Sequence, residues 1–292
     1  NYDSSSRNQY QAPGTSGNNS WYDQKFKVTI NGLTEASLDL RFTSTLDQPA
    51  DDEGWMIDNL SAPGLAGAMG IDSASFADHV IVDLPSYSAP AAIENVTLDG
   101  TGDHQLFGNA LDNRLVGNSG DNRIDGGSGN DTLGSAQVSG ISTGNDTLVG
   151  GWGDDVYYID HAGVVFQEYS GEGHDHVHSW VSLDLPFGVE DLSLYGDSSL
   201  IGRGNEFNNL LEDEGSGVVH LHGFGGQDTL VGEGGGDILE GGDGDDLYRI
   251  LGDGVTIVES STGGNDIVIV DSSVTSFVVS PHVEQIILSS GG

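Results

Sequence analysis

The sequence predicts an all-β protein, a parallel β-roll or β-solenoid in two blocks, preceded by a partial β-sandwich segment. Three observations carry this prediction. A glycine-aspartate motif recurs every nine residues, as at Asp228, Asp237 and Asp246, and a longer motif begins at Ile93 and recurs later in the chain. Runs of alternating apolar and polar residues, typical of strands, lie between the glycine-rich stretches. Residues 1–66 lack the nine-residue motif and hold three short strand patterns, too few for a complete sandwich.

The nine-residue unit reads Gly-Gly-x-Gly-x-Asp-x-U-x, where U is a large apolar residue, and complete copies begin at Gly126, Gly150 and Gly241. Glycines at the first, second and fourth places permit positive φ angles and close backbone approach in a tight turn. The last three residues form a short strand from which only U points inward. We expect the U residues to stack in each block, as Leu115, Ile124, Leu133, Leu148 and Tyr157 in the first and Leu211, Leu221, Leu230, Leu239 and Tyr248 in the second.

The charge balance requires cations. The chain has 46 acidic and 8 basic residues, a formal net charge of -38. Such a chain is either disordered or neutralised by cations, and its regular runs of Val, Ile, Leu, Tyr and Phe argue against disorder. Two units complete one coil, so Asp228 and Asp246 lie on the same edge in successive coils. Carboxylate oxygens and turn carbonyls are the hard ligands that Ca²⁺ prefers, so we predict several Ca²⁺ ions whose binding is coupled to folding.

The candidate metal ligands are the aspartates at the sixth place, two asparagines that stand where aspartate is expected, and the turn glycines. A solvated glycine loop or a metal-free turn is the alternative interpretation of the same residues. The candidates are Gly126, Gly129, Asp131, Gly144, Asp146, Gly150, Gly153, Asp155, Gly223, Gly226, Asp228, Gly232, Gly235, Asp237, Gly241, Gly244, Asp246, Asn113 and Asn122.

The long motif divides the chain into units. It occurs as residues 93–98, 189–194 and 283–288. We predict a β-sandwich-like segment at 1–66, which ends a larger domain, and the strand-rich tail of a first repeat unit at 67–107. Two full units, each a β-roll plus strands, follow at 108–200 and 201–292. An insertion around residues 135–142 leads us to expect a break in the first coil block.

Several function classes are excluded or disfavoured. Binding to nucleic acid or an anionic membrane needs clustered Lys and Arg, which this chain lacks. Without cysteine it has no disulfide, thiolate metal site or cysteine nucleophile. No stretch approaches the roughly 18 apolar residues of a membrane span. Neither H-E-x-x-H nor G-x-S-x-G occurs, so we predict no enzyme in this chain, with an upstream catalytic domain left open.

Residues 126–134, 150–158, 232–240 and 241–249 resemble the repeats of the RTX family. The resemblance covers about residues 70–292. It implies the C-terminal region of a bacterial exoprotein or adhesin that is secreted through type I export machinery. It further implies calcium-driven folding outside the cell, where the module has a structural or adhesive role, including at the cell surface. The family's C-terminal export signal is expected as well, but residues 283–292 instead match the repeat motif.

Other interpretations concern what accompanies the repeats. Residues 51–60 resemble the closing strand of secreted jelly-roll domains of the MAM-like or protease-associated kind, which bind glycans or proteins. The chain is then a glycan-binding module through residues 1–62, or a module that contacts a surface protein. It could also be the accessory region of an extracellular hydrolase, lyase or epimerase. His174, His176 and His178 share one strand face, which suits a zinc or copper site but is more typical of an exposed polar face.

Overall fold

The computed structural model describes residues 60–61, 79–134, 144–169, 171–261 and 263–289. The predicted β-sandwich segment therefore lies outside the described residues, apart from Leu60–Ser61, and so does the 135–142 insertion. The described ranges form 23 strands and no helix. The strands are β1 (Leu60–Ser61), β2 (His79–Val82), β3 (Ser86–Ser88), β4 (Asn95–Leu98), β5 (Gln105–Phe107), β6 (Arg114–Val116), β7 (Arg123–Ser128), β8 (Thr132–Gly134), β9 (Thr147–Trp152), β10 (Val156–Ile159), β11 (Val165–Gln167), β12 (His176–Ser179), β13 (Leu183–Asp184), β14 (Asp191–Leu194), β15 (Leu200–Arg203), β16 (Leu210–Asp213), β17 (Val219–Gly225), β18 (Thr229–Gly232), β19 (Ile238–Asp243), β20 (Leu247–Ile250), β21 (Thr256–Val258), β22 (Ile267–Val270) and β23 (Gln285–Leu288).

The strands form a parallel β-solenoid. Thirteen of them make one long sheet, in the order β1, β2, β4, β6, β8, β10, β12, β14, β16, β18, β20, β22, β23. The opposite wall has two five-stranded sheets, β3 to β11 and β13 to β21, which take the odd-numbered strands in chain order. From β2 to β21, each coil thus contributes one strand to the long sheet and one to the opposite wall. The predicted all-β parallel β-roll is confirmed.

The U residues form the core, as predicted. In the first block Leu115 pairs in register with Leu133, and Leu133 pairs with Tyr157, along the long sheet. Ile124 pairs with Leu148 on the opposite wall. All ten predicted U side chains are at most 1% exposed. Burial of each such side chain contributes about 1.5–3 kcal/mol, which is the main apolar contribution of a unit to folding.

The insertion does not break the coil, and the expectation of a break was wrong. β8 and β10 pair directly, and so do β7 and β9. Leu133 and Tyr157 are in register although 24 positions separate them, whereas Leu115 and Leu133 are 18 positions apart. The additional residues lie between β8 and β9 in the sequence, and the strands on either side keep their partners.

The long motif joins the same solenoid rather than a separate layer. Its three copies supply β4, β14 and β23, and each of these strands lies in the long sheet. The sheet runs on through β14 and β16, past the predicted unit boundary at residue 200. Between β12 and β14 the coil shortens, because His176 pairs with Asp191 only 15 positions later. The opposite wall changes from one five-stranded sheet to the other at this short coil.

The glycines of a unit have two different tasks. In the unit that starts at Gly241, the second and fourth glycines, Gly242 and Gly244, have φ angles of 113° and 143°, which disfavour any residue with a β-carbon. Gly241 does not have a positive φ; it leaves space beside a carboxylate. Phe224 takes the second place of another unit with φ 75°, so this turn holds a strained non-glycine residue.

Candidate metal sites

A column of acidic and amide side chains follows one corner of the solenoid, where each coil enters the long sheet. We call this column the first edge. Each member immediately precedes a strand of the long sheet. From Asn113 onward its members are Asn113, Asp131, Asp155, Asp175, Glu190, Asn209, Asp228, Asp246, Asp266 and Glu284.

One carboxylate oxygen of each aspartate links two coils. Oδ1 of Asp155 accepts a hydrogen bond from the backbone N–H of Asp131 at 2.6 Å, and Oδ1 of Asp175 accepts one from Asp155 at 2.8 Å. In the second block Oδ1 of Asp246 accepts from the N–H of Asp228 at 2.8 Å, and Oδ1 of Asp266 accepts from Asp246 at 3.0 Å. The aspartates of the first edge therefore link successive coils by accepting hydrogen bonds from backbone N–H groups.

The second oxygen of these aspartates has no protein partner. Oδ2 is buried without a hydrogen-bond partner in Asp131, Asp155, Asp175, Asp228, Asp246 and Asp266. All six side chains are at most 2% exposed. Burial raises the pKa of Asp131, Asp155, Asp175 and Asp228 from 3.8 to about 7, despite the hydrogen bond from the neighbouring coil, which lowers it. An isolated buried carboxylate is costly, so each unpartnered oxygen calls for a cation.

The first-place glycine opens space beside each unpartnered oxygen. A β-carbon on Gly126 would collide with Oδ2 of Asp131, and it would lie 2.8 Å from the carbonyl oxygen of Gly150 in the next coil. Gly223 stands in the same relation to Oδ2 of Asp228 and to the carbonyl of Gly241, at 2.6 Å from the latter. A carboxylate oxygen and a carbonyl oxygen from successive coils thus border one space. Hard oxygen donors of this kind fit Ca²⁺.

The remaining candidate residues lie elsewhere on the turns. Gly129, Gly153, Gly226 and Gly244 take the fourth place, with φ angles between 113° and 143°. Asn122, Asp146 and Asp237 precede strands of the opposite wall, at the other corner of the coil, together with Gly144, Gly232 and Gly235. Both oxygens of Asp237 accept backbone N–H bonds, from Val219 at 3.1 Å and Gly234 at 2.9 Å. The corner aspartate Asp237 is therefore satisfied by the protein, unlike the aspartates of the first edge.

The two candidate asparagines donate hydrogen bonds from their side-chain amides, which an aspartate carboxylate cannot do. Nδ2 of Asn113 donates to the carbonyls of Ile93 and Glu94, at 3.0 and 3.3 Å. Nδ2 of Asn122 donates to the carbonyl of Gly120 at 2.8 Å and to Oδ1 of Asp146 at 3.2 Å. An amide supplies N–H donors where a carboxylate would need a cation. These bonds favour a neutral link between coils at both positions rather than a metal ligand.

A comparison with protein-family models matches the stretches that hold these turns. The model is the RTX calcium-binding nonapeptide repeat, in four copies, and it covers residues 105–136, 142–158 and 222–249. These segments are RTX repeats. They indicate a calcium-binding β-roll module of a secreted protein, so the resemblance predicted from the sequence is confirmed.

One curated relative shares sequence with this chain. It is an endo-1,3-1,4-beta-glycanase, ExsH, of Rhizobium meliloti (strain 1021), which is 38% identical over 87 residues. The match covers 30% of this chain and 18% of the relative. No solved structure matches the chain significantly. The described residues contain no helix that could span a membrane.

Four acidic residues that lie close to the ends of the RTX repeats in the sequence were missed in the sequence prediction. Glu168 and Asp175 join Asp155, and Glu259 and Asp266 join Asp246, in two clusters whose oxygens lie within 4.8 Å of one another. They fall outside the family-model match. A signal existed, because Glu168 and Glu259 both stand 13 positions after the last sixth-place aspartate of their block, and Asp175 and Asp266 stand 20 positions after it.

The long motif also contributes to the first edge. Oε2 of Glu190 accepts the N–H of Asp175 at 2.9 Å, and Oε2 of Glu284 accepts the N–H of Asp266 at 2.7 Å. These glutamates take over the linking task of a sixth-place aspartate. The glutamate at the second place of the motif therefore has a structural role at the first edge in these two copies.

His176 and His178 lie on the outward face of β12, and Val177 between them is buried. His174 precedes this strand and contacts Asp191 at 3.1 Å, while His176 contacts Ser193 at 2.8 Å. No three-ligand metal cluster includes these three histidines within the described ranges. His220 and His222 flank the buried Leu221, and their half-buried rings are tilted by 34° with centroids 3.9 Å apart, near Glu240.

Proposed function

We propose that the first edge is a ladder of Ca²⁺ sites and that calcium binding folds this module outside the cell after type I export. One observation carries the proposal: the buried, unpartnered Oδ2 of Asp131 and of Asp228, each beside a carbonyl of the next coil. At each site, Oδ2 and the turn carbonyls bind the ion, while Oδ1 keeps the coil spacing through its backbone bond. The ion supplies positive charge between carboxylates that otherwise repel each other.

The proposed role of the module follows from its dependence on calcium. Calcium is abundant outside cells and scarce in the cytoplasm, so such a chain remains unfolded until it has crossed the export machinery. A structural or adhesive role in a secreted or cell-surface protein, with a glycan or a surface protein as partner, agrees with these properties.

A second function is supported by the glycanase relative. The shared 87 residues place a similar segment in a protein named for action on a 1,3-1,4-β-glycan. The module would then be the accessory region of an extracellular hydrolase. Because the match covers 18% of that relative, the glycanase activity is assigned to the relative and not to this chain.

Substitution of one first-edge aspartate tests the calcium ladder. Asp228→Asn keeps an Oδ1 acceptor for the N–H of Asn209, which is bonded at 2.8 Å, but removes the charge next to the Gly241 carbonyl. We expect the variant to bind one Ca²⁺ fewer than the parent chain, as counted by elemental analysis after desalting and by calorimetric titration. Asp184→Asn is the matched control, because Asp184 is exposed and paired with Arg203. An unchanged ion count in Asp228→Asn would argue against the ladder.

A further inference from the structure

Each block of nine-residue units ends in a cluster of three buried carboxylates on the first edge. The first consists of Asp155, Glu168 and Asp175. The second consists of Asp246, Glu259 and Asp266, and in both clusters one oxygen of each residue lies within 4.8 Å of the other two. None of the six side chains is more than 7% exposed.

These clusters contain oxygens that no protein group satisfies. In the first, Oδ2 of Asp155, Oε2 of Glu168 and Oδ2 of Asp175 are all buried without a hydrogen-bond partner. In the second, Oδ2 of Asp246 and Oδ2 of Asp266 are in the same condition. Within the described part of the chain, the Arg ion pairs are with Asp125 and Asp184, not with these carboxylates. Three buried negative charges without a cation are far too costly to be a resting arrangement.

The glutamate stands where a turn carbonyl would otherwise be. Beside Gly126 the space is bordered by Oδ2 of Asp131 and by the carbonyl of Gly150 in the next coil. Beside Gly150 it is bordered by Oδ2 of Asp155 and by Oε1 of Glu168. The coil that follows has no Gly-Gly turn, since residues 168–175 read Glu-Tyr-Ser-Gly-Glu-Gly-His-Asp. An oxygen of a side-chain carboxylate thus takes the place of the missing backbone carbonyl oxygen.

A tyrosine holds each glutamate in position. The U place holds Tyr157 and Tyr248 in the last unit of the two blocks, whereas the other U residues are Leu or Ile. The Tyr157 hydroxyl donates to Oε1 of Glu168, and the Tyr248 hydroxyl donates to Oε1 of Glu259. Tyr248 also accepts the N–H of Gly241 at 2.7 Å. The two tyrosines are positioning residues that link the core to the carboxylate clusters.

We propose that Asp155, Glu168 and Asp175 bind one Ca²⁺ and that Asp246, Glu259 and Asp266 bind a second, so that each block is closed by a tricarboxylate site. The inference rests on the calcium ladder proposed above. Ca²⁺–O distances of about 2.3–2.6 Å allow two oxygens on one ion to lie up to about 5 Å apart, in agreement with the observed spread. Because affinity rises with the number of charged ligands, these two sites bind Ca²⁺ more tightly than the sites of a single carboxylate and carbonyls.

Isosteric neutral variants test the closing sites. We expect Glu168→Gln and Glu259→Gln each to lose one tightly bound Ca²⁺, and the double variant to lose two, in calorimetric titration and elemental analysis of the full chain. Glu214→Gln is the matched control, because Glu214 is exposed and belongs to neither carboxylate cluster. Circular dichroism at saturating calcium verifies the fold of every variant. A double variant with the ion count and affinities of the parent chain would overturn the closing sites.

The outcome separates the two proposals. A parent chain that binds no calcium contradicts the ladder itself, whereas a calcium-binding parent with an unaffected double variant contradicts only the closing sites. If the glutamine variants do not fold, the Tyr157→Phe and Tyr248→Phe double variant decides, because it keeps every carboxylate. We expect it to keep the ion count, to bind two ions about 10–100-fold more weakly, and to lose terbium luminescence excited through tyrosine. Unchanged affinities and luminescence would count against the proposal.

Discussion

Removal of calcium is expected to unfold the solenoid. Among the residues that the structure describes, seven carboxylates have a buried oxygen with no protein partner: Asp131, Asp155, Glu168, Asp175, Asp228, Asp246 and Asp266. A buried charge that has lost its partner costs about 3–5 kcal/mol, whereas the whole stability of a protein of this kind is about 5–15 kcal/mol. The ionised, calcium-free coils therefore cannot remain folded at neutral pH. The β signal in far-ultraviolet circular dichroism should collapse in EDTA.

The same titration contains its own controls. Excess Ca²⁺ added after EDTA should restore the β signal, because folding and ion binding are one equilibrium. Mg²⁺ at the same concentration should restore much less of it, since Mg²⁺ demands a stricter octahedron than carboxylates and turn carbonyls provide. A spectrum that EDTA leaves unchanged would show that the carboxylates are tolerated without cations.

Acid is expected to stabilise the calcium-free chain while it weakens calcium binding. The pKa of Asp131, Asp155, Asp175 and Asp228 is raised by burial to about 7, and the unfolded chain has ordinary values near 3.8. Between these two values the folded state binds more protons than the unfolded state, so the stability of the calcium-free fold falls as the pH rises through about 4 to 7. Protons in effect replace the missing cations.

The measurement is denaturant unfolding of metal-stripped protein at pH 5 and at pH 7.5, at equal ionic strength and with light scattering to exclude aggregation. Without calcium we expect a cooperative unfolding transition at pH 5, and at pH 7.5 either none or one at a much lower denaturant concentration. With calcium the order reverses, because Ca²⁺ requires the ionised carboxylates and protons compete with it. A calcium-free chain that is more stable at pH 7.5 than at pH 5 would contradict the assignment of these carboxylates as unpaired.

The features with a short, regular period could be predicted from the sequence. The U residues and the sixth-place aspartates recur every nine residues, and two units make a coil, so their burial and their common edge follow from counting. Tyr157 and Tyr248 were correctly placed in the core by the same rule. Only the coordinates show that their hydroxyls reach Glu168 and Glu259.

Other features depend on coils of unequal length, which the nine-residue period does not specify. Glu168 and Asp175 meet Asp155 because the coil after it has 20 positions in register, as Tyr157 pairs with Val177. The insertion before β9 was expected to interrupt the coil, yet the strands on both sides of it keep their pairing. The hydrogen bonds that the Asn113 amide donates could not be predicted either. In the sequence alone, an asparagine in an aspartate position indicates only a weakened metal ligand.

The location of bound ions tests the central claim most directly. A crystal of the chain grown with saturating calcium, and measured for anomalous scattering, should show peaks about 2.3–2.6 Å from Oδ2 of Asp131 and of Asp228, in the space beside Gly126 and Gly223. A map of the folded chain with no anomalous peak beside these oxygens would contradict the claim that cations hold the first edge together.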